Sequence, residues 1–219
     1  MIASELENIA GSPRRGFFGR AAAAVALGAA ALAGITARAQ AAPASDEPNW
    51  PGEMKGRYHQ VFDGVSVAGG NALHYAANFL ESNPPGAATS VLVLRALALV
   101  IAMNDDIWAK YKIGEAFDIT DPETKAKAVK NPFLRPKQGV LGSDEMAVDR
   151  LLANGVVIGA CNMALHGLSK AAGAKIAVNA EDAAREWIAG AIPGITIIPS
   201  GVWGVNRAQM AGCTYCAGG

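Results

Sequence analysis

Three cysteines and one oddly placed arginine carry most of the chemistry this sequence can offer. Cys161 follows the apolar stretch Val156-Val157-Ile158-Gly159-Ala160 and precedes a segment of helical patterning, Asn162 to Ala172. A thiol at such a strand-to-helix corner meets the helix N-terminus, whose partial positive charge lowers a cysteine pKa and favours the nucleophilic thiolate. The competing account is a buried small hydrophobe, since free cysteine is among the most buried residue types.

Cys213-Thr214-Tyr215-Cys216 stands close to the last residue, Gly219. In an oxidising compartment a C-x-x-C pair can close a small disulfide, shuttle electrons, or give two ligands to a soft metal. Ala217 occupies the position where haem attachment requires histidine. A zinc site would need further ligands from Cys161, His59, His74 or His166, and their positions form no motif, so neither a metal nor a cofactor is expected. If Cys213 pairs with Cys216, Cys161 is left single.

Arg95 directly follows the apolar run Ser90-Val91-Leu92-Val93-Leu94. A guanidinium at the end of a buried strand must find a carboxylate or an anionic ligand. Asp63, at the end of the neighbouring strand, is the structural partner; anion binding is the alternative. The histidines read as structural, His74 sharing a helix face with Asn78. Asp105-Asp106, Glu115 and Asp118 mark either a polar cleft or solvated helix ends.

These residues need elements to hold them. Strand patterns cover Tyr58–Asp63, Ser90–Leu94, Val156–Ala160 and Ile195–Ile198, by alternation, continuous apolar content or β-branched residues. Helical spacing covers Gly70–Ser82, Ala96–Tyr111, Ser143–Asn154, Asn162–Ala172, Ala180–Ile188 and Val202–Met210, with Ser143 and Asn179 as candidate caps. Residues 114–142, dense in Pro, Gly, Asn and Asp, form an irregular excursion with one helical turn expected around Glu123–Val129. The alternation predicts an α/β fold, a mostly parallel sheet of about four to five strands with helices on both faces. Such sheets place ligands beyond the carboxyl ends of their strands, where Cys161 and Ser200 fall.

With 219 residues, 51% hydrophobic and 17% charged, a packed core is within reach and wholesale disorder is excluded. Nineteen basic and nineteen acidic side chains give no net charge, hence no electrostatic footprint for nucleic acid. The segment Gly64–Gly70 lacks the lysine of a phosphate loop and the spacing of a dinucleotide fingerprint. There is no nucleophile elbow, no His-Glu-x-x-His and no calcium loop, which removes support for ordinary hydrolase and dehydrogenase readings.

The first 39 residues read as an address. Arg14-Arg15 precede Phe17-Phe18 and the apolar run Ala21–Ile35, the pattern of a twin-arginine export signal. That run is shorter than the ~20 residues of a spanning helix, so no stable membrane anchor is expected. Cleavage is expected after Ala39 or Ala41 by the small-x-small rule. Residues 40–56 then form an extended leader, pinned by Trp50, into a domain over 57–219. The chain is expected to meet the export machinery and to reside in the periplasm.

The strand ending Val61-Phe62-Asp63, the strand Val91–Leu94, the stretch Leu152 to Asn162 and the close Ile198-Pro199-Ser200-Gly201-Val202, with Gln209-Met210-Ala211-Gly212 and Tyr215, resemble the DsrE/DsrF-like family of small α/β proteins associated with bacterial sulfur transfer. The resemblance spans about residues 57–216 and follows the order of elements. It implies that Cys161, just beyond a central strand, is a persulfide-type acceptor; beside it, the C-x-x-C pair Cys213 and Cys216 is expected to act as a redox pair or as resolving thiols. It further implies a homo-oligomer, and a sulfur donor or acceptor protein or a small sulfur compound as partner; the residues themselves offer Trp187, Trp203 and the apolar closing helix as a contact surface. A non-catalytic periplasmic binding or assembly subunit with structural cysteines is the alternative.

Overall fold

Ser90, Val91, Leu92, Val93 and Leu94 are all fully buried, as a strand covered on both faces must be. They belong to the middle of a five-stranded sheet in which every pairing is parallel. The computed structural model describes residues 49–219; the twin-arginine pattern, both cleavage positions and the leader up to residue 48 lie outside the described residues. The strands are β1 (Tyr58–Gly64), β2 (Ala88–Leu94), β3 (Val157–Cys161), β4 (Thr196–Ile198) and β5 (Thr214–Ala217), in the order β4-β3-β2-β1-β5. The helices are α1 (Asn71–Glu81), α2 (Asp105–Lys110), α3 (Ile113–Ala116), α4 (Val148–Ala153), α5 (Asn162–Lys175), α6 (Ala180–Ala189) and α7 (Gly201–Met210).

The chain steps outward from β1 to β4 and then returns to lay β5 on the other side of β1. Right-handed crossovers put the connecting helices of the outward steps on one face and that of the return step on the other. The two cores record this. Phe62, Leu92, Leu94, Ile158 and Ala160 pack with Leu73 of α1, Leu151 of α4, Leu165 of α5 and Trp187 of α6. On the opposite face Val61, Val91 and Val93 pack with Ala208 of α7 and with Trp50. Alternate residues of each strand thus serve alternate faces, the period-2 rule. Trp50 is packed into this second core, 6% exposed and tilted against Trp203 at 6.3 Å. Gly159 makes this possible, because a Cβ there would stand 2.7 Å from the Trp50 ring.

Several elements depart from the sequence pattern. Ala96–Tyr111 is not one helix: Ala96–Ala102 is a 3-10 segment, Met103 is extended and bridges Ala191, and α2 starts afresh with Asn104 as cap. Residues Ala98–Met103 are buried on every side, so the one-sided apolar stripe of a surface helix is not what this run encodes. The Ser143–Asn154 helix is likewise interrupted, a 3-10 turn at Asp144–Met146 giving way at extended Ala147 to α4. Around Glu123–Val129 no helix forms; a single turn over residues 121–125 stands just ahead, closed by Lys125 N–H to Asp121 O at 2.9 Å and by the Glu123 amide to Asp121 Oδ1 at 2.8 Å, and Thr120 bridges Lys127, a side-chain-closed turn that competes with helix. Strand β5 has no counterpart among the expected strands.

Within the excursion, Phe133, Leu134 and Leu141 join the main core. Asn131, 3% exposed, fastens it: its amide donates to Ile101 O (2.8 Å) and Met103 O (2.7 Å), its Oδ1 accepts from Phe133 N (3.0 Å), and its own N–H donates to Asp105 Oδ1 (3.0 Å). Asp105 is therefore a structural acceptor, and Asp118 pairs with Lys127; neither builds a cleft with the other.

Candidate functional site

The carboxyl ends of β1, β2 and β3 bring together the residues that the sequence singles out. Counting by twos from Val61, Val91 and Gly159 puts Asp63, Arg95 and Cys161 on the face that carries α7. Register sets their order: Asp63 pairs with Val93 and Leu94 with Ala160, so Arg95 and Cys161 follow at adjacent strand ends. The first turn of α7 closes over them, since a Cβ on Gly201 would stand 2.5 Å from Arg95 Cβ. Ser200, at the end of β4, caps that helix by accepting Trp203 N–H at 3.2 Å.

Asp63 is 5% exposed and accepts three hydrogen bonds. Arg95 Nε and Nη2 donate to its two oxygens at 2.6 and 2.8 Å, and the Tyr215 hydroxyl donates to Oδ2 at 3.1 Å. The fork-on-carboxylate geometry is the strong form of this pair. Arg95 is thus satisfied by its structural partner, and the guanidinium is held above its ordinary pKa by the hydrogen bond to Asp63, opposed by burial, with smaller contributions from the charge of Asp63, Tyr215 and Cys161. Burial first, then Asp63, pushes the Tyr215 hydroxyl up. Tyr215 is a member of this cluster that sequence reasoning missed; it belongs to β5, and only the β1–β5 pairing delivers it.

Cys161 is a free thiol, 5% exposed, and its Sγ accepts the Ala164 N–H at 3.4 Å as the cap of α5. Next to it Asn162 Oδ1 is buried without a hydrogen-bond partner. The sulfur therefore has the Ala164 amide as its hydrogen-bond donor, with Arg95 on the neighbouring strand end.

The C-x-x-C cysteines are not brought together. Cys213 packs in the α7-side core and Cys216 against the other one, because a three-residue step along a strand reverses the face. Both are free thiols, and neither stands in the Asp63–Arg95–Cys161 line. Burial pushes the Cys213 thiol from 9.0 up to about 11. The neutral form is favoured by the fold, so its stabilisation is complete below pH 9 and disappears as pH rises towards 11. With no metal added, the chain is expected to lose about 2 kcal/mol over that window, and Cys213→Ala to lose less, read from urea midpoints at stepped pH.

Trp187 does not furnish a contact surface: it is fully buried, edge-on to Tyr111 at 5.7 Å. Trp203 is half-buried against Trp50, and the exposed apolar side chains of α7 are Val202 and Met210. No helix among the described residues is long and apolar enough to cross a membrane.

No family model, curated protein or solved structure matches the chain. Any reading of function therefore rests on the residues and geometry above.

Proposed function

We propose that the chain handles sulfur as a DsrE/DsrF-like protein of the periplasm, with Cys161 as the acceptor. The supporting observation is the place of Cys161, at the end of a central parallel strand with Sγ accepting an amide of the next helix and Arg95 on the neighbouring strand end. In the step proposed, the Cys161 thiolate attacks the outer sulfur of a persulfide R–S–SH, a Cys–S–SH bond forms, and R–S⁻ leaves. Export follows from the twin-arginine pattern. Self-association, expected from the resemblance, would use α7, where Val202 and Met210 are each 70% exposed.

A second reading, a non-catalytic binding or assembly subunit, is favoured by the burial of Cys161 and by Arg95 being claimed by Asp63. Intact-mass and peptide spectra after incubating the reduced protein with a small persulfide separate the two. Sulfur acceptance predicts a gain of about 32 Da at Cys161, absent from Cys161→Ser and retained in Cys213→Ser. An unmodified Cys161 in a folded, fully reduced sample rejects it in favour of the second reading.

A further inference from the structure

At the opposite end of β1 from the Asp63 cluster, two sulfur donors touch on the α7 face and a histidine stands beside them. Cys213 Sγ lies 3.7 Å from Met54 Sδ, and both belong to the α7-side core. Gln60 pairs with Thr214, which sets His59 beside Cys213 one step earlier on the two strands. The His59 ring is oriented: Nε2 lies 3.0 Å from Gly56 O. A carbonyl only accepts, so Nε2 carries the proton of the neutral ring and Nδ1 keeps its lone pair. Nδ1 in turn faces the backbone ahead of Cys213, 3.8 Å from where a Cβ on Gly212 would stand. A histidine whose far N–H is spent on a backbone carbonyl is the usual arrangement of a metal ligand.

We propose that Met54 Sδ, Cys213 Sγ and His59 Nδ1 form a binding site for one soft monovalent cation, Cu(I). The sulfur separation is close to what is needed: two sulfurs each about 2.3 Å from a shared three-coordinate metal, at a trigonal angle, lie about 4.0 Å apart. Thioether and thiolate donors select Cu(I), whereas zinc takes thiolate, imidazole and carboxylate. Charge points the same way. Cys213 is 6% exposed among Val61, Ala208 and Trp50. Thiolate plus Cu(I) is neutral there, while thiolate plus a divalent ion would leave a buried positive charge. On binding, the S–H bond of Cys213 breaks, its proton passes to solvent and the Cu–S bond forms, with no change in oxidation state.

The test is anaerobic competition between the reduced full chain and a chromophoric Cu(I) chelator, with X-ray absorption on the loaded protein. The expected result is one Cu(I) per chain, with two sulfurs and one nitrogen at about 2.0–2.3 Å. Met54→Leu, which preserves volume and fold, and His59→Gln should each weaken binding at least about tenfold. Cys213→Ser should abolish it, and Cys161→Ser and Cys216→Ser should leave it unchanged. Failure to compete, retention of full affinity in Met54→Leu, loss on Cys161→Ser, or Zn(II) held as tightly as Cu(I) would each overturn the assignment.

Discussion

Replacing Arg95 by methionine is expected to destabilise the fold by about 3–5 kcal/mol, the cost of leaving a buried charge without its partner. Asp63→Ala is expected to cost less, about 2 kcal/mol. The asymmetry comes from exposure. The Asp63 side chain is 6% exposed and would keep only the Tyr215 hydroxyl, whereas the Arg95 side chain is 33% exposed and can turn to water. Asp63→Leu combined with Arg95→Met should recover most of the Arg95→Met loss, because removing both charges removes the desolvation penalty. Chemical denaturation of the four proteins at one pH measures all three statements. Equal costs for the two single variants would contradict the geometry.

Asn131→Ala is expected to cost about 3 kcal/mol. It strips donors from two buried carbonyls, Ile101 O and Met103 O, and an acceptor from the Phe133 amide, and each unsatisfied buried group costs about 1–3 kcal/mol, with partial relief from water. The loss should be local before it is global. Hydrogen exchange should quicken first across residues 114–142, since Asn131 ties that excursion to the Ala96–Ala102 segment, while amides of β2 keep the protection of the sheet. Uniform loss of protection would mean that the excursion folds as one unit with the sheet.

Four of the five strands are legible locally because each meets the core with a period of two or with an unbroken apolar run. The helices are less so. Ala98–Met103 mimics an amphipathic helix but is buried all round, and Ala147 breaks a run whose residue types would all tolerate helix. The pairing of Arg95 with Asp63 follows from the sequence, since a guanidinium ending a buried strand needs the nearest carboxylate. Tyr215 in the same cluster does not, because its hydroxyl reaches Asp63 across 152 residues. The same holds for Met54, His59 and Cys213, whose spacings match no metal motif.

By itself the sequence determines the layered class and the pairing of Arg95 with Asp63 at the carboxyl ends of neighbouring strands. Strand period and right-handed crossovers are short-range rules, and they act on these residues directly. The tertiary structure alone decides that the last four-residue strand lies beside the first. That single non-local pairing sends Cys213 and Cys216 to opposite faces, carries Tyr215 to Asp63 and sets Cys213 beside His59. Its register is chosen by cores formed from the whole chain, and no window of neighbouring residues encodes it.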